Sequence, residues 1–564
     1  MSWSRRGVLG GLAWAATSGS PAAAPSDTFD LIITGGRIVD GSGAPAFEAD
    51  VGVRGDRIAA VADLSRAAGR RLAVNGRVVC PGFIDMHSHA SWTYLVDPRG
   101  LAKLAQGVTL EIEGEGQSVA PMDAAAYSRE KAQFDRFGII PDWGSLDQFY
   151  RRLERDPAAL NFATHLGTST VREAVIGFGN RSATPEELAR MRAMTRDAMR
   201  DGALGIYSAL MYSPDVYNST DELIAMAKVA SEYGGYYQTH QRSESSAIDA
   251  SLDEIFRIAR EARISAHITH FKVTQTQNWG RMAQVLERIE VARAEGLDVT
   301  ADLYPYEWAG GSFTALLPPW VQDGGRAEIM RRLRDGPTRD RIKADLVTPT
   351  LEWENEYLGA GGGPAGILIV NANGNRDLER YEGKTVADIA RAEERDPRDV
   401  VLDIILAGDA SMVVHITNEP DLRLAIARPW MMVGSDGSGR TAPDGPLARG
   451  GVHPRGSGTF PKVFNDYVRT SPILTLEEFV RRCTSLSAKR LSLKSRGMLR
   501  PGYFADIVVF DPDQYRDHAT YEKPRKLATG VDHVLVNGAI TFFDGAWTGA
   551  RAGRPLRGPG WRRG

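Results

Sequence analysis

Cysteine is nearly absent from this chain: two residues, Cys80 and Cys483, in a length of 564. Neither sits in a CxxC-type pair, which excludes a disulfide framework even for an exported protein. A surplus of basic charge is missing as well. Lys and Arg total 68 against 71 Asp and Glu, a formal net charge of −3, so no nucleic-acid partner is expected. The apolar run near the N-terminus is too short, and too rich in Gly and Ala, for a membrane span. Internal repeats and low-complexity tracts are lacking. What is present is the balance of a soluble enzyme-sized protein, 43% hydrophobic and 25% charged. The length exceeds one ordinary core and suits a large catalytic domain with a smaller one.

At the N-terminus, Arg5-Arg6, the mildly apolar stretch Gly10–Thr17 and Ala22-Ala23-Ala24 follow in the order of a bacterial twin-arginine export signal. Residues 1–25 are therefore set aside, and a periplasmic or secreted protein is expected. Strand-like segments with turns fill 29–62 and recur at 504–510 and 533–538. A lone hairpin is marginal in water. The two ends thus predict one small β-sandwich domain built from both termini, 26–80 and 491–564. Between them, short apolar runs such as Gly202–Tyr207 and Leu297–Tyr304 alternate with amphipathic stretches such as Thr184–Asp201, Thr220–Tyr233 and Asp249–Ala262. That alternation predicts an α/β class and a (β/α)8 TIM-like barrel over 81–490. An irregular, Gly-rich stretch at about 313–409 is too long for one loop and is expected to be an insertion near the barrel mouth.

Chemistry gathers at the ends of the strand-like runs. Phe83-Ile84-Asp85-Met86-His87-Ser88-His89 is an apolar strand ending in two histidines two residues apart. Strand side chains alternate, so His87 and His89 share a face, and imidazole is a common zinc ligand. His240 ends Gly235–Thr239 and His270 ends Ile264–Thr269. His267 lies an odd offset from His270, so only one of the two lines the lumen, and His270 is at the tip. Each histidine alone reads as a hydrogen-bonded core residue; three strand ends converging on histidine read as a metal site. Met431-Met432-Val433-Gly434-Ser435-Asp436-Gly437 adds a carboxylate at a fourth strand end. Amide hydrolysis needs an activated water, a polarised carbonyl and an acid for the leaving amine. Zinc supplies the first two, and Asp436 is suited to carry the proton and to ligate the metal.

His87-Ser88-His89, His240, His270 and Ser435-Asp436 resemble the HxH…His…His…Asp set of the amidohydrolase superfamily. Longer motifs are similar to those of the N-acyl-D-amino-acid deacylases: Gly82–Asp85, Gly107-Val108-Thr109, Ser118–Pro121, Gly202–Gly205, His270-Phe271-Lys272, Tyr304-Pro305-Tyr306 and His453-Pro454-Arg455. The resemblance runs from about Asp30 to Gly538. It implies a barrel with a small β domain, one tightly held zinc, sometimes a second weaker metal, and a small-molecule substrate. Where the family often carries a Cys before its Gly-x-Ser-x-Ala-Pro run, this chain has Glu115, with Glu113 a near neighbour. Exchange of sulfur for oxygen should soften zinc preference and favour a fuller second site. Relatives also usually carry Gly-His where this chain has Gly167-Thr168. The expected ligands are thus His87, His89, Glu115, His240, His270 and Asp436.

For the substrate, Lys272 shares the face of His270, and Arg455 lies beyond Asp436. A cationic pair beside a metal site suits a free carboxylate, which Arg grips with two hydrogen bonds. The resemblance adds Tyr304 and Ser312 to this group. An ordinary ion pair is the plainer reading of Lys272 and Arg455. Rivals are a dipeptidase using the same chemistry and a cyclic-amide hydrolase of the hydantoinase type. No Lys stands at a matching strand end between Thr109 and His240 to bridge two metals, which counts against the cyclic-amide reading. A binding protein on a retained barrel would be expected to have lost a ligand, and none is lost.

Overall fold

A computed structural model describes residues 28–562; the twin-arginine segment lies outside them. The central strands are all parallel. Phe83–Asp85, Val108–Glu113 and Asn161–Thr164 pair in that order. After His165 the chain resumes at Leu166–Gly167, which leads a second run through Gly205–Ala209, Tyr236–His240, Ala266–Ile268, Val299–Leu303 and Met431–Val433. The last strand returns to the first: Met86 N–H donates to Val433 O at 3.3 Å, Asp436 N–H donates to His87 O at 2.8 Å, and Gly437–Ser438 pairs in parallel with Ser88–His89.

Helices between the strands start and stop where their sequences direct. Thr184 caps Pro185–Asp201 in a capping box with Glu187, Pro185 occupies the first turn, and Gly202 ends it at φ 107°. Ser219 and Glu222 form the same box for Thr220–Glu232. The apolar faces of these helices join one large core with strand residues such as Ile206, Ile268 and Val433.

Both termini contribute to one nine-stranded sheet. Val78–Pro81 pairs in parallel with Thr28–Ile38 on one side and antiparallel with Ile507–Phe510 on the other. That strand bridges the two sets, so strands from both termini form one continuous sheet around a shared core. Its alternation is strict. Val79, Ile507 and Val509 face a core shared with Ile33, Val51 and Ile58, whereas Val78, Cys80, Val508 and Phe510 face the central core.

A third unit interrupts the last βα step. Trp308–Ser312, Ile367–Asn371 and Ser411–His415 form an antiparallel sheet. With helices such as Arg326–Arg334 and Pro397–Ala407 it encloses a separate core of Leu316, Val321, Ile369, Val401, Ile405 and Met412.

Candidate metal centre

Strand tips and left-handed backbone aim the candidate donors. His270 and Asp436 sit just past their strands at φ 35° and 51°, left-handed conformations uncommon outside glycine, though His and Asp adopt them more readily than most, and frequent at functional positions. Asp302 holds the first: its Oδ1 accepts His270 N–H at 2.9 Å, and its Oδ2 lies 2.8 Å from His267 Nε2. Glu115 is turned inward between Gly114 and Gly116, both at positive φ. A Cβ on Gly116 would come 2.7 Å from that of Ala209, so the turn leaves no room for a side chain there.

Glu115 lies at the centre of the site. Its Oε2 is 2.7 Å from His87 Nε2 and 3.2 Å from His89 Nε2. Its Oε1 is 2.9 Å from His240 Nδ1 and 3.7 Å from His270 Nε2. Asp436 Oδ1 lies 2.9 Å from His89 Nε2 and 3.7 Å from His87 Nε2. The donors fall into two groups that share Glu115: His87, His89, Glu115 and Asp436, and Glu115, His240 and His270. His240 Nε2 and His87 Nδ1 are buried without a hydrogen-bond partner among the described residues. Four imidazoles and two carboxylates converging in this way fit bound metal, since buried carboxylates require a counter-charge and mixed N/O sets suit zinc. Glu113 belongs to neither group; it accepts from Thr164 Oγ1 and lines the adjoining cavity.

Burial works to raise the pKa of both carboxylates, but their neighbours win. The charge of His87 and hydrogen bonds from His240 and His270 hold Glu115 well below the usual carboxylate range. Arg455 and then His87 do the same for Asp436. Both are anionic and ready to ligate.

A cavity of about 560 Å³ opens over these groups, lined by His89, Glu115, His270, Asp436, Arg455 and Ser312 among others. Arg455 Nη1 is 2.7 Å from Asp436 Oδ2, and its guanidinium lies 4.8 Å from the Tyr304 ring centre. Arg455 N–H donates to His453 Nδ1 at 3.0 Å. Lys272 and Tyr304 are not among the lining residues. Lys272 Nζ stands behind the wall, 2.8 Å from His270 Nδ1 and 2.7 Å from Glu244 Oε2.

Several partners escaped the sequence reading. Asp85 accepts Ser435 N–H at 2.7 Å and Ser435 Oγ–H at 2.6 Å, and it pairs with Lys103 Nζ at 2.5 Å. Lys103 also meets Glu111 at 3.0 Å. This buried knot locks the His87 strand, the Asp436 strand and Val108–Glu113 together. A lone Lys inside the apolar stretch Leu101–Ala105 was the available signal. Glu244 is the second. Its Oε1 lies 3.0 Å from His270 Nδ1, and Glu354 in the inserted unit accepts Glu244 N–H at 2.6 Å. Carboxylates set ligand histidines in this way, and losing one typically weakens metal affinity ~10–100-fold. Glu244→Gln is therefore expected to lose affinity by that factor in a chelator competition titration. Unchanged affinity would show that Glu244 does not orient His270.

Residues 73–346 and 365–542 match the model of the amidohydrolase family. The chain is also 38% identical over 539 residues to a D-aminoacylase of Alcaligenes xylosoxydans xylosoxydans, covering 94% of this chain and 98% of that one. The chain belongs to the amidohydrolase family, among the N-acyl-D-amino-acid deacylases. This amidohydrolase is similar in structure to a D-aminoacylase described with a binuclear metal centre, at a TM-score of 0.78 and 34% identity, covering 94% of this chain and all (100%) of the other. It is likewise similar to the N-acyl-D-glutamate deacylase of Bordetella bronchiseptica, solved with zinc and a phosphonate mimic of the tetrahedral intermediate. There the TM-score is 0.77 and the identity 29%, over 94% of this chain and 100% of the other. No helix of the described residues is long and apolar enough to cross a membrane.

Proposed function

We propose that this amidohydrolase uses zinc to hydrolyse the amide of N-acyl-D-amino acids, releasing a carboxylate and a free D-amino acid. The observation that carries the reading is the pair of ligand groups sharing Glu115, open to a cavity whose wall also holds Arg455. His240, His270 and Glu115 would hold the tight metal, and His87, His89 and Asp436 a second. Zinc bound there supplies Lewis acidity, lowering the pKa of water and polarising the acyl carbonyl. The chain's residues do the rest. Asp436 takes the proton of the attacking water and delivers it to the amine nitrogen. Arg455, with Ser312 on the same wall and Lys272 and Tyr304 behind it, holds the substrate carboxylate and fixes which end of the amide faces the metals.

The ring of parallel strands is a (β/α)8 barrel in this reading. It spans 81–490, with the inserted unit at about 313–409 beside its mouth and the small β domain formed by 26–80 and 491–564. Arg5-Arg6 and Ala22-Ala23-Ala24 support export by the twin-arginine route to the periplasm or beyond.

The test is a hydrolysis screen of paired N-acetyl-D- and N-acetyl-L-amino acids, with D-alanyl dipeptides alongside, on protein of known metal content. Turnover of the D-series is expected. Cleavage of the dipeptides alone would replace the reading with a dipeptidase, and preference for the L-series would end it.

A further inference from the structure

Two hollows meet at the ligand groups. The larger is the 560 Å³ cavity; away from the metal-ligand candidates its wall holds an apolar patch of Trp92, Val119 and Met122 among polar residues such as Glu113, Gln117 and Tyr212, beside Arg129, which is paired with Glu173 and Glu130. The smaller, about 260 Å³, shares His89, Gly310, Asp436 and Arg455 with it and runs on past Asn371, Ser438 and Arg440.

Most cations here are already matched. Lys272 has Glu244, Arg455 has Asp436, and Arg129 has two carboxylates. Arg440 is the exception. It is half-buried and makes no salt bridge among the described residues; its Nη2 donates to the neutral Gln133 Oε1 at 2.9 Å. Burial, and then the charge of Arg136, push its pKa down, against the opposing charge of Glu130.

The backbone that carries Arg440 is held firmly. Gly437–Ser438 is in register with Ser88–His89, so the residue sits two positions past a strand paired to the metal-ligand strand. Arg440 N–H donates to Ser438 Oγ at 3.2 Å. From the C-terminal region, Arg525 donates to the carbonyls of Arg440, Arg449 and Gly450 at 3.2, 3.1 and 2.5 Å. A guanidinium fixed at a cavity wall, with Glu130 near but no salt bridge among the described residues, can accept an anionic ligand.

An N-acyl amino acid offers four parts to the site. The amide goes to the metal ligands and the α-carboxylate to Arg455 and its neighbours, leaving the acyl group and the side chain. A neutral group suits the Trp92–Met122 patch; a carboxylate is the substrate group that Arg440 would pair with. Resting on the deacylase reading above, we propose that Arg440 is a specificity-determining residue that binds a second carboxylate, so that the preferred substrates are N-acyl-D-amino acids bearing two carboxylates. That second group comes either from an acidic side chain or from a dicarboxylic acyl group.

The two sources are told apart by kcat/KM for N-acetyl-D-glutamate and N-succinyl-D-leucine, each referred to N-acetyl-D-leucine. Wild type is expected to favour at least one dicarboxylate over N-acetyl-D-leucine. In Arg440→Gln that ratio should fall ~10–100-fold, as for loss of one charge-assisted contact, and Arg440→Lys should keep part of it. A wild type that favours N-acetyl-D-leucine overturns the proposal. So does an Arg440→Gln enzyme that loses all three substrates equally, since Arg440 would then only brace its loop against Gln133. Hydrolysis of none of the three would instead remove the deacylase reading, and the inference with it.

Discussion

Asp436→Asn is expected to reduce kcat on the best N-acyl-D-amino acid toward the upper end of ~10²–10⁴-fold, the usual loss for one positioned acid/base group. The upper end follows because the same carboxylate is argued to receive the water's proton and to pass it to the amine. Asparagine keeps the size and shape of the side chain but has no basic oxygen of comparable strength. The strand tip should survive, because its backbone is held from elsewhere: Asp436 N–H bonds His87 O, and Ser435 is tied to Asp85. KM should change less than kcat, since Arg455 remains to meet the substrate carboxylate. Steady-state kinetics with metal content checked alongside decides the matter. An Asp436→Asn enzyme within a few-fold of wild type would mean that another group moves the proton, and the mechanism would be dropped.

Glu115→Ala is expected to be nearly as severe, by a different route. Glu115 touches both donor groups, so its removal takes a donor from each and leaves His87, His89 and Asp436 on one side and His240 with His270 on the other. The loss of metal affinity should exceed the ~10–100-fold typical of a residue that merely orients a ligand. Elemental analysis should then find less than about one metal per chain, below what this ligand count supports, and activity should fall with it. Glu113→Ala should keep its metal, because Glu113 points to Thr164 and the cavity wall and belongs to neither group. If only the Glu113 variant lost metal, the site as drawn here would be wrong.

Much of the frame is legible in the chain because it is written locally. Thr184 and Glu187, or Ser219 and Glu222, announce helix starts within four residues, and those helices fall within a residue of where periodicity puts them. The HxH pair is equally local, since alternation along one strand puts both imidazoles on one face. What stayed hidden depends on partners far apart in sequence. Lys103 finds Ser435 across 332 positions, and Glu244 finds His270 across 26. A carboxylate four residues after His240 looks like a loop residue until folding brings another strand tip to it. Arg440 is invisible for the opposite reason, because its interest lies in a partner that is missing. The single nine-stranded sheet was also beyond reach: alternation marks strands, but not whether two terminal sets share a bridging one.

That bridging strand constrains the order in which the molecule can be made. Arg77 is bound to Asp532 at 2.8 Å across 455 positions, and Val78–Pro81 has no antiparallel neighbour until Ile507–Phe510 has left the ribosome. The first-synthesised strands pair among themselves, but the outer edge of Val78–Pro81 stays without its partner through nearly the whole of translation, the kind of open edge that invites non-native pairing. Every metal-ligand candidate, from His87 to Asp436, is made before the sheet can close. The strands that carry the ligand candidates can therefore assemble first, with the terminal sheet as the final seal, and a chain truncated before Ile507 would keep every ligand candidate while leaving Val78–Pro81 without its antiparallel neighbour.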